Sequence, residues 1–319
     1  MAGKFGKQSF GRIEGTDIYR YSISNGTISA SILSYGARLQ SLMIGDRQVV
    51  IGFDDIHSYM IDSKHFGGVI GRLCNRTRGG LLQIRNQTYQ LENNSNGHHL
   101  HGGSSCFDAR IWDLVALDDS SITLALHCPN GEANYPGSLR VEVTYSLQEN
   151  AMVFSYAVTS DMATKVNITN HSYFNLNGEG DVLGHMMLVN SDEIAVRDKD
   201  FIFTSLREPY KESSPHLLSN ARKSACFLLQ EEAACTVESN GLRMKVSTSL
   251  PALLFFCADS SDVQANAAPK KYSRRYGFCP ETLFLPNEVP ILEMGQSLQE
   301  WTRYEFSYVG EQYEKNNDY

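Results

Sequence analysis

Apolar and polar residues alternate with a period of two along much of the chain. In the clearest run, Leu139, Val141, Val143, Tyr145 and Leu147 alternate with Arg140, Glu142, Thr144 and Ser146. Successive side chains of a strand point to opposite faces, so this run predicts a strand with one buried and one wetted face. Leu242, Met244 and Val246 alternate in the same way with Arg243, Lys245 and Ser247, as do Tyr304, Phe306 and Tyr308 with Arg303, Glu305 and Ser307. Further strand-like runs cover residues 18–23, 28–33, 122–127 and 152–159. Asn-Gly pairs at 25–26, 96–97, 130–131 and 240–241 supply residues that tolerate positive φ and so predict turns. No window carries a sustained apolar stripe of period 3.6, which argues against long helices and a parallel sheet built on them. Many short strands at regular spacing predict an all-β fold, a large antiparallel sandwich or a barrel. No linker, repeat or low-complexity block divides the chain. Residues 1–319 are therefore expected to form a single domain, with 311–319 a polar tail.

Composition narrows the partners. The chain has 319 residues, 42% of them hydrophobic and 20% charged, and a formal net charge of −8. Nucleic acid and anionic membranes both require a basic face, so neither is expected as a partner. A neutral small molecule is not constrained by that charge. The seven cysteines are widely spaced, odd in number and contain no C-x-x-C, which predicts reduced, buried thiols. The first residues show charge without a following apolar run, so no signal peptide is read, and no stretch approaches the roughly 20 apolar residues of a membrane helix. These features fit a cytoplasmic protein.

Four clusters place polar groups where a strand protein would not need them. Gly71 to Gly80 holds Arg72, Asn75, Arg76 and Arg78 between glycines, which fits either a solvated loop or a set of fixed donors for ligand oxygens. His98, His99 and His101 precede Gly102-Gly103. Period two would put His99 and His101 on one face, as in a metal-binding His-x-His, but Ser104, Ser105 and Cys106 follow where a ligand carboxylate would be needed. A hydrogen-bonding role for His101 is the better reading. In Asn170-His171-Ser172-Tyr173-Phe174-Asn175, strand periodicity sets His171, Tyr173 and Asn175 on one face. Imidazole, amide and an aromatic ring together suit a sugar, although a satisfied core histidine would look the same. Finally, Glu281 is the only charge in the apolar, proline-bracketed stretch from Cys279 to Asn287. Such surroundings raise a carboxyl pKa toward the working pH of a general base; a buried glutamate tied to an arginine is the alternative.

Taken together and in order, these segments resemble the aldose 1-epimerase (galactose mutarotase) family over nearly the whole chain. The likeness rests on Ser34 to Leu42 and Val49 to Asp54, then Phe66 to Arg72 with Asn75-Arg76, and on Leu100-His101-Gly102-Gly103. It continues through Asn130-Gly131-Glu132 with Tyr135-Pro136-Gly137, Asn170 to Leu176, and Glu281-Thr282 followed by Pro286. The resemblance implies one large twisted antiparallel β-sandwich with an open cleft. It also implies mutarotation of a free sugar with no metal or organic cofactor, by a monomer or homodimer. Glu281 would be the base at the anomeric hydroxyl and His171 the acid at the ring oxygen, with His101, Asn75, Arg76 and Tyr173 holding the sugar.

Opening a hemiacetal needs one proton removed and another delivered, and an acid and a base on opposite sides of the ring would do both. Their pKa values, ordinarily about 4.3 and about 6.5, are then expected to move toward each other near neutrality. The chain departs from the family at Ser224, where members often carry an aspartate, and at Leu254, where they often carry a glutamine. Both changes remove polar contacts and imply a specificity altered from galactose. A non-catalytic sugar-binding protein on the same fold is the alternative function.

Overall fold

The alternation seen along the chain becomes a stack of antiparallel sheets. The computed structural model describes residues 6–212, 214–219, 224–258 and 275–310; the tail expected at 311–319 lies outside them. The longest helix among the described residues is the five-residue Ile56–Met60. None is long and apolar enough to cross a membrane.

Three large sheets form. Gly6–Ile13, Thr16–Ser24, Ile28–Leu33, Leu39–Ile44 and Arg47–Gln48 make a five-stranded meander in chain order. A nine-stranded sheet is centred on Leu139–Gln148, Ala151–Ser160, Ser297–Tyr308 and Leu242–Thr248. A second five-stranded sheet runs Phe203–Pro209, Glu193–Arg197, Ser224–Leu228, Ala252–Ala258 and Gly277–Leu283. Every ladder in all three is antiparallel.

Residue alternation sets the packing. In Leu139–Gln148 the apolar members are buried and the polar ones are exposed or half-buried, as expected. In Ser297–Tyr308, Tyr304 and Phe306 are buried between the half-buried Arg303, Glu305 and Ser307, whereas Tyr308 is exposed at the strand end. The main core draws Ile23, Ile32, Val143, Phe154, Phe255 and Phe278 into one cluster, so the three sheets pack across shared apolar faces. Asn240 and Gly241 both take positive φ and join Ala233–Ser239 to Leu242–Thr248 in a tight hairpin.

Two links between layers matter for the site. Phe174 bridges to Val50 on one side and to Phe278 on the other, joining the first sheet to the second five-stranded sheet. Tyr145, buried in the nine-stranded sheet, donates its hydroxyl proton to the Ala37 carbonyl. Tyr145→Phe should therefore lower unfolding stability by about 1–2 kcal/mol, since it removes a buried donor and keeps the ring. Denaturant titration checks this; an unchanged midpoint would mean that the Ala37 carbonyl finds another partner.

Candidate active site

A cleft of about 840 Å³ opens beside the second five-stranded sheet. Every residue expected to form a site lines it: Asn75, Arg76, His101, His171, Tyr173 and Glu281. They come from four separate segments. Asn75 precedes the short strand Arg76–Thr77, which pairs with His99–Leu100, so the two loops carrying Asn75 and His101 are bound edge to edge. The His101 N–H donates to the Asn75 carbonyl at 3.2 Å, and the Asn75 N–H donates to His101 Nδ1 at 3.2 Å. That second bond places the imidazole proton on Nε2, leaving an N–H donor for the cleft. Gly102 lets the loop pass: it has φ of +89°, and a Cβ there would lie 1.9 Å from the Gly71 carbonyl oxygen.

The histidine triplet splits. His99 is fully buried between the Glu92 carbonyl at 2.7 Å and the Tyr135 hydroxyl at 2.5 Å, while His98 accepts from the Gly79 N–H. His101 turns away because it leaves the strand with φ of +54°. Period two does not carry across that left-handed residue, so His99 and His101 do not share a face. The same limit applies further on. Asn175 does not join His171 and Tyr173 at the cleft; its amide donates to the Tyr276, Glu179 and Gly180 carbonyls. Only Thr169–Asn170 is strand there, and the chain beyond is irregular.

Of the other loop arginines, Arg72 is buried against the Tyr135 ring and donates to the Pro136 carbonyl, and Arg78 pairs with Asp198. Ser224 and Leu254 both line the cleft, as their places in the chain implied.

At the base of the cleft, His171 Nε2 stands 3.7 Å from Glu281 Oε1, with both side chains almost wholly buried. That separation leaves no room for a sugar ring between them, so the two cannot flank a ring from opposite sides. Both serve one edge of the cleft. Glu281 Oε2 has no hydrogen-bond partner among the described residues. Burial pushes the Glu281 carboxyl up to about 8, against the opposing pull of Arg197 and His65. Burial, reinforced by His65, pushes His171 down to about 3. The two values therefore pass one another instead of meeting near neutrality, because desolvation disfavours the charged form of each. Burial thus favours the neutral form of both groups, a protonated carboxyl beside an unprotonated imidazole.

Three cleft residues carry no signal in the sequence. His65 packs against the rings of both His101 and His171, with centroids 5.0 and 5.7 Å away, and those two rings are 5.8 Å from each other. Its Nδ1 meets Asp108 Oδ2 at 2.8 Å, and Arg38, bonded to Asp62 and Asp108, backs that carboxylate. Burial opposes a charge on His65, yet Asp108 outweighs it and raises the imidazole above its ordinary range. Arg197 reaches the cleft from Glu193–Arg197, and Lys64 from the loop before Phe66. None sits in a recognisable motif. His65, Asn75 and His101 all adopt positive φ without being glycine, a costly backbone state that clusters where function fixes side-chain direction.

Among the described residues, two groupings each hold three metal-type ligand atoms within 4.8 Å of one another: His65, Cys106 and Asp108, and His171, Cys279 and Glu281. In both, burial and a neighbouring carboxyl hold the thiol well above its usual pKa, which disfavours the thiolate a metal would bind.

A sequence model of the family described as aldose 1-epimerase matches residues 19–309. The galactose mutarotase of Pongo abelii is 29% identical over 327 residues, spanning 92% of this chain and 95% of that protein. The aldose 1-epimerase of Escherichia coli (strain K12) is 28% identical over 322 residues, spanning 89% and 93%. Among solved structures, galactose 1-epimerase from Lactobacillus acidophilus NCFM superposes with a TM-score of 0.87 at 22% identity, covering 96% of this chain and 99% of that one. The aldose epimerase homologue from C. elegans gives 0.84 at 23% identity, covering 91% and 99%. These structural likenesses establish the β-sandwich fold expected from the strand pattern.

Proposed function

Because the chain belongs to the aldose 1-epimerase family, we propose that this cleft interconverts the α and β anomers of a free sugar, with Glu281 and His171 moving the protons. The observation that carries the proposal is the buried carboxyl–imidazole pair, 3.7 Å apart and holding a single proton. The anomeric and ring oxygens are bonded to the same carbon, so an acid and a base this close reach one oxygen each.

The order of events follows from the electrostatics. In the empty cleft the proton sits on Glu281. A bound sugar offers hydroxyl donors to the unpartnered Oε2, which favours the carboxylate and hands the proton to His171. Glu281 then takes the proton of the anomeric hydroxyl while His171 delivers its own to the ring oxygen. The C–O ring bond breaks, the aldehyde carbon turns, and reclosure runs the same transfers backward. His101 Nε2–H, Asn75 and Arg76 donate to oxygens of the substrate, and the Tyr173 ring forms part of the wall, its hydroxyl already committed to the Lys64 carbonyl at 3.1 Å.

Seven unpaired cysteines support a reducing, cytoplasmic setting, and the net charge of −8 supports a small-molecule partner over nucleic acid. The loss of acidic and amide groups at Ser224 and Leu254 supports a preference other than galactose.

Polarimetry on freshly dissolved sugars tests the reading, with the spontaneous rate subtracted at each pH. The pair must carry one proton, so kcat/KM should hold through neutrality and fall about tenfold per pH unit above about 8, as Glu281 loses its proton. A profile flat to pH 10, or one that breaks near the ordinary carboxyl value, would remove the shared proton from the mechanism.

A further inference from the structure

The chain carries a net charge of −8, yet Lys64, His65, Arg76 and Arg197 all face this one cleft. Asp108 pairs with His65 at 2.8 Å and offsets its charge, but the other acids do not cancel the arginines. Asp198 is taken by Arg78, Glu208 is exposed, and burial favours the neutral form of Glu281. Two of the cations are arginines without a carboxylate partner among the described residues. Arg197 donates to the neutral Ser224 hydroxyl at 2.9 Å, and its guanidinium lies 4.6 Å from the centre of the Phe203 ring. The Arg76 guanidinium lies 5.9 Å from the centre of the Phe201 ring. The two are near enough that the charge of Arg76 works against that of Arg197, and burial disfavours both. Bringing two half-buried guanidinium groups to one wall is unfavourable, and an anion between them would relieve the repulsion. Planar forks resting on aromatic faces are fixed in direction and match the paired oxygens of a phosphate or carboxylate.

We propose that the preferred substrate is an aldose bearing an anionic group, a phosphate ester or a carboxylate, which Arg76 and Arg197 bind while Glu281 and His171 work on the anomeric centre. This rests on the mutarotase reading and names its substrate class. The Ser224 hydroxyl, whose lone pair holds Arg197, keeps its own proton to donate to the same anion. Lys64 adds to the potential that draws an anion in.

The test measures anomer exchange at equilibrium by NMR for a neutral hexose, the matching hexose 6-phosphate and the matching hexuronate, at equal ionic strength. At least one anionic member should exceed the neutral sugar in kcat/KM by 100-fold or more, and the faster of the two identifies phosphate or carboxylate as the source. Added salt should shrink that advantage. Arg197→Gln and Arg76→Gln, each checked for folding by circular dichroism, should each cut the anion-to-neutral ratio at least tenfold, mainly through KM. If the neutral hexose exchanges as fast as both anions, the anion preference is wrong and the mutarotase reading survives. If no sugar exchanges, the mutarotase reading falls. The anion site is then judged by titrating with inorganic phosphate: thermal stabilisation lost in Arg197→Gln upholds it, and no stabilisation overturns it.

Discussion

Glu281→Gln is expected to slow anomer exchange by roughly 100- to 10,000-fold, the range that one positioned acid–base group supplies. An amide neither gives up nor accepts the proton that the pair passes back and forth, yet it fills the same space. The carboxyl is protonated in the empty protein, so the substitution replaces one neutral group with another. Unfolding stability should therefore move by less than about 1 kcal/mol, while sugar binding persists. This combination separates a catalyst from a sugar-binding protein on the same fold. A binder would show no exchange to lose in the wild type, and a variant as fast as the wild type would take Glu281 out of the chemistry.

Asp108→Asn is expected to produce the largest change in stability, a loss of about 3–5 kcal/mol. Asp108 Oδ2 accepts from Arg38 Nη2 at 2.9 Å and meets His65 Nδ1 at 2.8 Å, in a corner where both Arg38 and Asp108 are almost wholly buried. The asparagine would leave a buried guanidinium with only Asp62 and the Phe66 carbonyl to satisfy it. Tm should fall by roughly 5 °C or more.

The pH dependence has a definite sign. Despite burial, His65 and Arg38 hold Asp108 far below the usual carboxylate range, so its contribution is present above the unfolded-state pKa and is lost only as pH falls toward the folded value. His65 is raised, so its share is full below its unfolded pKa and fades as pH climbs through the folded one. In the variant both dependences should flatten. Differential scanning calorimetry at several pH values would read this, and a variant as stable as the wild type would show that the Arg38 network does not hold this corner together.

Much of the molecule was legible before any coordinates. The alternation at Leu139 to Leu147 became a ten-residue strand buried on its apolar face, and the run at 28–33 became Ile28–Leu33 without change. Period-two patterning reports directly on local geometry, so it reads well wherever backbone φ stays extended. It failed at His101 and along the chain after His171, where the backbone leaves the strand and side-chain direction no longer alternates. The likeness to a known family placed Glu281, His171, His101, Asn75, Arg76 and Tyr173 in one site, and all six line one cleft. His65 and Arg197 escaped notice because neither stands in a patterned segment; each matters only through what lies across the cleft from it.

The amino-acid sequence alone determined the all-β architecture and supplied a carboxyl and an imidazole, since strand period and residue type are local properties. Only the tertiary structure decided that Glu281 would keep its proton and His171 would lack one, and that cations would crowd one cleft of an acidic chain. Those outcomes depend on how far each group is removed from water and on which charges lie a few ångströms away. Packing between distant segments sets both.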